Sequence, residues 1–227
     1  MTISDVDTTR ATRVGQSAPR PDGVPKVLGE FSFSSDLWAD DMLWGHTLRS
    51  PHPSARIRSI DISQALVVPG VHAVLTHDDV PGRNLFGLEH PDQPVLASDE
   101  VRYQGEPVAI VAADHPDVAR RAAAAIVVDY EVRAPLVDSE AAIAADPIHP
   151  DGNVVRHLTV RHGDLDATAP VVVEGTYEVA MQDQAFMGTE SGMAFPSDDG
   201  SVDLYISTQW LHSDRDQVAA ALGLAPD

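Results

Sequence analysis

The chain has 227 residues, of which 43% are hydrophobic and 22% charged, a composition typical of a globular protein that is long enough to bury a core. Its formal net charge is -20, from 15 basic and 35 acidic residues. This charge argues against nucleic acid or an anionic membrane surface as partner, because both bind clustered basic groups. The sequence contains no cysteine, which excludes disulfide bonds, thiol catalysis and an iron–sulfur cluster ligated by this chain.

The N-terminal stretch, residues 1–24, is polar and has no hydrophobic period, which predicts a flexible leader. It begins with acidic residues where a secretory signal peptide would carry basic ones. The sequence also has no apolar run of about 18 residues that could form a membrane span. We therefore expect a cytoplasmic protein.

Short apolar runs separated by proline, glycine and aspartate predict a series of strands in the first half of the chain. The predicted strands cover residues 42–50, 55–63 and 71–76, two runs within 101–114, and residues 126–132. The run at residues 107–113 is continuously apolar, which predicts a central strand buried on both faces.

One helix is predicted between the last two of these strands. Asp114 is a good N-cap residue and Pro116 suits the first turn. Apolar side chains recur at helical spacing along one face, which we expect to be buried. The residues of this face are Val118, Ala122, Ala123 and Ile126.

The second half of the chain is predicted to hold fewer elements. Residues 136–153 form a connection with one short helical patch, and residues 171–179 form a strand. Residues 192–208 form a hairpin around a turn at residues 198–200, and the stretch from Leu211 is a last helix with Ser213 or Asp214 near its cap and Gly223 as its stop. This mixture predicts an α+β fold.

No common nucleotide-binding, nucleophile-elbow or zinc-protease motif is present. His52 lies between two prolines, where a side chain that supports a turn is the ordinary interpretation. Paired aspartates lie in predicted turns, where they bond their own backbone. Glu106 and Glu190 are less easily explained, and each could be structural or part of a site. From these residues alone the function is unresolved.

Several blocks of sequence together resemble a known family. They are "LRSPHPSARIRSIDIS", "PGVHAVLTHDDVPG", "PVLASDEVRYQGEPVAIVAAD", "VVVEGTYEVAMQDQAFMGTESGMAFP" and "LYISTQWLHSDRDQVAAALGL". In this order they are similar to the α/β hammerhead domain and the start of the molybdopterin-binding domain of molybdenum hydroxylases. That family comprises xanthine dehydrogenases, aldehyde oxidases and carbon monoxide dehydrogenases. The resemblance covers about residues 12–227.

The resemblance implies a domain organisation. Residues 1–24 are the leader, residues 25–135 an α/β hammerhead domain and residues 136–154 a linker. Residues 155–227 are expected to be an incomplete molybdopterin-binding α+β domain.

The resemblance also implies one cofactor-binding residue. Gln209, in the segment Ser207–Trp210, matches the family's glutamine that binds the molybdenum cofactor. A neutral amide can donate a hydrogen bond to a metal oxo group or a pterin oxygen without adding charge. The alternative is that Gln209 only caps the hairpin before the last helix. Glu190 matches a family glutamate that we expect to pack and not to catalyse, and this chain is expected to supply no catalytic residue and no metal ligand.

The implied function is that of the N-terminal portion of a xanthine dehydrogenase-like enzyme, which hydroxylates a purine such as hypoxanthine or xanthine. The chain alone is expected to be inactive, because the family's glycine-rich loop and catalytic glutamate are absent from these residues. It would share a molybdenum–molybdopterin cofactor with the rest of the family chain, while 2Fe–2S and FAD lie only on partner chains. Two alternatives stay open: a non-catalytic hammerhead scaffold, or the equivalent piece of an aldehyde oxidase or carbon monoxide dehydrogenase.

Overall fold

The computed structural model describes residues 14–15, 20–88, 90–164, 166–185 and 188–226. The chain divides into two units, each assembled from separate stretches of sequence. The first, which we name the sheet unit, comprises Leu43–Val80 and Asp92–Gln184. The second, the hairpin unit, comprises the described residues of Met1–Met42, Pro81–Pro91 and Ala185–Asp227. Strands and helices occur together, so the predicted α+β class is confirmed.

The sheet unit has six strands and three α-helices among its described residues. The strands are β1 (Trp44–Arg49), β2 (Ala55–Asp61), β3 (Val71–Leu75), β4 (Glu100–Val101), β5 (Pro107–Ala113) and β6 (Val127–Val132). The helices are α2 (Ser63–Leu66), α3 (Pro116–Ala124) and α4 (Ser139–Ala144), with a short 3₁₀ helix at His77–Asp79. All six predicted strands of the first half of the chain are therefore confirmed, with ends that differ by up to two residues from the expected ones.

Two antiparallel three-stranded sheets form this unit, with strand orders β1-β5-β3 and β4-β2-β6. Successive side chains of a strand point to opposite faces, and in β5 both faces are buried. Val111 packs in one hydrophobic cluster with α3. Val108 packs in a second cluster with Val101 and Ala55. The predicted central strand buried on both faces is confirmed, and it serves two cores.

Helix α3 covers the first of these cores with alanine side chains. Ala119, Ala122 and Ala123 are buried against Val111 and its neighbours. Alanine has a single methyl group, so it lets the helix backbone approach the sheet closely and costs no helix propensity. The predicted buried face is confirmed.

The predicted start of α3 was wrong by one residue. The N-cap is His115, whose Nδ1 accepts a hydrogen bond from the amide of Asp117 at 3.1 Å. Asp114 is otherwise engaged: its amide donates to the carbonyl of Gly70 at 2.9 Å, and its carboxylate lies 2.6 Å from Nε2 of His72. Aspartate is a better N-cap residue than histidine, but the contacts with Gly70 and His72 hold Asp114 outside the N-cap position.

The hairpin unit contains helix α1 (Gly23–Leu28), a 3₁₀ helix at Ser34–Asp36, strands β7 (Gly192–Pro196) and β8 (Val202–Ile206), and helix α5 (Leu211–Leu222). Strands β7 and β8 pair antiparallel, which confirms the predicted hairpin. Gly223 ends α5 with a φ of 70°, as predicted.

The predicted last helix is confirmed from Leu211 onward, but its N-cap is Trp210 and not Ser213 or Asp214. The side chain of Asp214 is already inside the first turn, where it accepts a hydrogen bond from the hydroxyl of Thr208. Acidic residues suit both the N-cap and the first turn of a helix, because the amide groups there are free. Residue type alone therefore did not show which of the two positions Asp214 occupies.

The predicted strand at residues 171–179 was also wrong. The structure assigns no strand there, and its large apolar side chains are 71–87% exposed. They are Val171, Val172, Val173, Tyr177 and Val179. β-Propensity describes how a side chain fits a half-buried sheet, and no strand among the described residues pairs with this segment.

Most of the predicted leader, residues 1–13 and 16–19, lies outside the described residues. Helix α1 begins at Gly23, inside the stretch assigned to the leader. The linker and domain limits predicted from the sequence stay a prediction; α4 is the short helical patch expected in the linker. Within the described residues, no helix is both long and apolar enough to cross a membrane.

The double burial of β5 leads to a stability prediction. Val111 has 0% exposure, so Val111→Ala leaves a cavity that α3 cannot fill, and we expect a loss of about 2 kcal/mol in the free energy of unfolding. Chemical denaturation monitored by circular dichroism measures this loss. Val137→Ala is the matched control, because Val137 is 86% exposed, and it should change stability by less than about 0.5 kcal/mol. Equal losses in both variants would contradict the assignment of the core.

Candidate functional site

The candidate site lies at the end of the hairpin opposite its turn. We name this region the open end; it consists of residues 188–191, before β7, and 207–210, after β8. The two stretches meet because Gly192 is paired with Ile206 in the strand register. A Cβ atom at Gly192 would lie 2.4 Å from Cγ2 of Ile206, so a larger residue would require the Ile206 side chain or the strand to shift. Gly192 therefore fixes the spacing at this end.

A group of four hydroxyl side chains joins the open end to the 3₁₀ helix at Ser34–Asp36. The hydroxyl of Ser34 donates to the carbonyl oxygen of Thr189 at 3.1 Å. Its oxygen also lies 2.9 Å from Oγ of Ser191 and 3.2 Å from Oγ of Ser207. One hydroxyl can donate once and accept twice, so all three contacts can form together. Ser34 thus ties both strand ends.

The segment after β8 is fixed on its other side by Thr208. The hydroxyl of Thr208 accepts a hydrogen bond from the amide of Trp210 at 2.9 Å and donates to the carboxylate of Asp214. The amide of Asp214 donates to the carbonyl of Trp210 at 3.0 Å. These bonds join the segment to the first turn of α5. The Thr208 side chain thereby provides an acceptor for the Trp210 amide at the helix start.

Gln209 lies between these two anchors. Its side chain is exposed, and within the described residues it makes no hydrogen bond. The alternative role, capping, has no contact to support it, because Thr208 is the residue that accepts from the amide of Trp210. The amide group of Gln209 is therefore available, with two N–H donors and one carbonyl acceptor, to bind a group outside the chain.

Glu190 lies at the same open end, between Thr189 and Ser191. Its carboxylate is exposed, and the described part of the chain offers it no ion-pair partner. The structure thus brings Glu190 and Gln209 to one end of one hairpin, although they are 19 positions apart in sequence. The sequence analysis did not identify Ser34 as part of this region, since no local pattern links it to partners more than 150 residues away.

Glu106, the other unexplained acid, has a structural role. It is 2% exposed, and its carboxylate accepts a hydrogen bond from the amide of Arg102 at 2.6 Å. Its own carbonyl accepts from the amide of Ser50 at 2.9 Å, and the Arg49 guanidinium donates to the carbonyl of Gly105 at 2.9 Å. The carboxylate closes the turn between β4 and β5. Burial, together with the nearby negative charge of Glu106, raises the pKa of Tyr103.

His52 also serves the fold. Its amide donates to Oγ of Ser50 at 3.1 Å, which holds the turn between β1 and β2. Its ring packs edge-on against Tyr130 with ring centres 5.1 Å apart. Burial, only partly opposed by the hydrogen bond to Ser50, raises the pKa of Tyr130.

The candidate site is neither a metal centre nor a cavity. Among the described residues, no three histidine, aspartate or glutamate side chains are placed to hold a metal ion. A cavity of about 670 Å³ lies between β8 and α5, and its lining includes Leu204, Val218 and Leu222 but not Gln209. The candidate site is the open end of the hairpin and not this cavity.

Comparison with known protein families gives two matches along the chain. Residues 28–134 match the a/b hammerhead domain of aldehyde oxidase and xanthine dehydrogenase. Residues 148–227, which include the whole open end, match the molybdopterin cofactor-binding domain. The chain belongs to the molybdenum hydroxylase family. The predicted resemblance to the hammerhead and molybdopterin-binding domains of this family is confirmed.

Individual relatives agree with this assignment. The chain is 41% identical over 208 residues to a probable xanthine dehydrogenase subunit of Bacillus subtilis, covering 89% of this chain and 28% of the relative. It is 37% identical to the nicotinate dehydrogenase large molybdopterin subunit of Eubacterium barkeri, covering 93% of this chain and 51% of that relative. The chain therefore spans between about a quarter and a half of the length of these relatives.

A solved structure of this family has the same fold. The aldehyde oxidoreductase from Desulfovibrio desulfuricans superposes with a TM-score of 0.78 at 30% identity, over 93% of this chain and 26% of that chain. The hammerhead and molybdopterin-binding folds predicted from the sequence are confirmed.

The structural role of Glu106 can be tested by substitution. Glu106→Ala removes a buried side chain and the charged acceptor of the Arg102 amide, and we expect it to lower the free energy of unfolding by about 3 kcal/mol. Glu106→Gln keeps an acceptor oxygen and should cost about 1 kcal/mol. Urea titration measures both.

Glu131→Ala is the matched control, because Glu131 is half exposed in a surface ion pair with Arg58 at 3.3 Å, and it should cost less than about 1 kcal/mol. A Glu106→Ala protein as stable as this control would show that the buried carboxylate does not hold the turn.

Proposed function

We propose that the chain is the N-terminal part of the molybdenum-binding chain of a xanthine dehydrogenase-like hydroxylase, in which Gln209 binds the molybdenum cofactor. One observation carries the proposal. Gln209 has a side-chain amide with no partner among the described residues, yet the residues on either side of it, Thr208 and Trp210, are held by hydrogen bonds. It also lies in the stretch that matches the cofactor-binding domain.

The residues of the open end suit such a group. When bound, the molybdenum cofactor supplies the oxidation chemistry. Gln209 would donate a hydrogen bond to an oxygen of the cofactor and would add no charge beside it. Its neighbours keep it in place: Ser207 is tied to Ser34, and Thr208 to Asp214. These 227 residues would form one wall of the cofactor pocket, and turnover would require the rest of the family chain.

The proposed substrate is a purine of the xanthine type. Two relatives, at 41% and 37% identity, carry names that refer to xanthine and to nicotinate, both nitrogen-containing aromatic rings. The aldehyde oxidoreductase of Megalodesulfovibrio gigas is 32% identical. The higher identity to the first two relatives favours a substrate that is oxidised at an electron-poor ring carbon over an aldehyde. An aldehyde oxidase, a carbon monoxide dehydrogenase and a non-catalytic scaffold are the alternatives.

Electron transfer in this proposal requires other chains. With no cysteine, this chain cannot ligate a 2Fe–2S cluster through thiolates, so partner chains would carry the iron–sulfur and FAD groups. The cytoplasmic location expected from the sequence stays a prediction.

Metal and pterin analysis tests the proposal. We expect the chain, purified from its own cell with the proteins that accompany it, to contain about one molybdenum atom and one pterin per chain. That complex should oxidise xanthine faster than nicotinate or benzaldehyde. Gln209→Ala should lower molybdenum content or the rate per molybdenum about tenfold, the effect expected when a polar partner of a bound cofactor is lost.

Gln64→Ala is the control, because Gln64 is exposed on α2 in the sheet unit, and it should leave both values unchanged. A purified complex without molybdenum would contradict the proposal and favour the scaffold. Faster oxidation of benzaldehyde would instead favour an aldehyde oxidase.

A further inference from the structure

We infer that Ser34 is a positioning residue for Gln209, an inference that rests on the function proposed above. Ser34 is distant from Gln209 in sequence and is not expected to touch the cofactor. It acts through the open end, because its hydroxyl contacts one residue before β7 and one after β8, Ser191 and Ser207.

The hydrogen-bond directions support this role. Ser34 uses its single proton on the carbonyl oxygen of Thr189, so its two lone pairs are free to accept from Ser191 and Ser207. The hydroxyl of Ser207 is then oriented toward Ser34, two residues before Gln209. A methyl group at position 34 would remove all three bonds at once.

Ser34 is the only hydrogen-bond partner of the Ser207 side chain among the residues that the structure describes. Within the described residues, the segment of Gln209 is held beyond β8 by the hydroxyl of Ser207 on one side and by the pair Thr208 and Asp214 on the other. The second contact, which includes the amide of Trp210, is local to the start of α5 and stays formed only while residues 207–209 are held on their N-terminal side. Without Ser34, Ser207 loses its side-chain partner. The side-chain amide of Gln209 would then move among several positions instead of keeping one. Fixed placement of such a group is what binding a cofactor requires.

The test compares variants of two adjacent serines. Ser35 is exposed in the same 3₁₀ helix, and its hydroxyl makes no hydrogen bond within the described residues, so Ser35→Ala is the matched control. In the chain without cofactor, Ser34→Ala should speed hydrogen exchange of the Trp210 and Ser191 amides about fivefold, the factor that corresponds to one net hydrogen bond. Ser34→Thr should restore slow exchange, and Ser35→Ala should match the wild type.

A double variant shows whether Ser34 acts through Ser207. Ser207→Ala should raise exchange of the Trp210 amide as Ser34→Ala does, and the double variant should raise it no further, because the two hydroxyls form one bond. In the complex purified with its partners, Ser34→Ala should lower molybdenum and pterin content about fivefold, with an unfolding midpoint no more than about 4 °C below that of Ser35→Ala.

The outcomes separate this inference from the proposed function. Exchange rates in Ser34→Ala equal to those in Ser35→Ala overturn the inference, whatever the metal content. Faster exchange with unchanged molybdenum content also overturns it, since Ser34 would then order the segment without serving the cofactor. A wild-type complex that lacks molybdenum contradicts the proposed function, and the exchange rates then decide alone whether Ser34 holds the segment of Gln209.

Discussion

The sheet unit depends on the burial of β5 on both faces. This strand pairs with β1 and β3 along its two edges, and its side chains enter two different cores, Val111 on one side and Val108 on the other. A strand of this kind carries apolar side chains on both faces, so polar groups that stabilise it lie at its ends. Glu106 is such a group at one end, where its charge is stabilised by a backbone amide.

The candidate site is built on a different principle. The open end of the hairpin unit has few buried apolar side chains, and its order comes from hydroxyl groups that bond one another. Exposed hydrogen bonds each contribute little stability, but several of them around one segment restrict its conformations. Gln209 is left free at the centre of this arrangement, which suits a residue whose partner is a bound group.

The sequence was sufficient wherever a pattern was local. The continuous apolar run of β5, the alanine face of α3 and the turn of the hairpin were predicted, because periodicity and turn residues act over a few positions. Residues 171–179 were misassigned, since a strand requires a partner that the pattern does not reveal. The N-cap His115 and the role of Ser34 were missed because contacts with distant residues determine them. The N-cap Trp210 was missed because acidic residues suit more than one position of a first turn.

The alanine face of α3 has a consequence for how the sheet unit can vary. Ala119 and Ala122 have no exposed surface, and alanine loses no rotamer entropy when it is buried. Burying this interface therefore costs little side-chain entropy, and because both alanines are fully buried, a larger side chain would have to displace its neighbours. A larger side chain at Ala119 or Ala122 would push the helix away from the sheet, so this face can change only together with the strand beneath it.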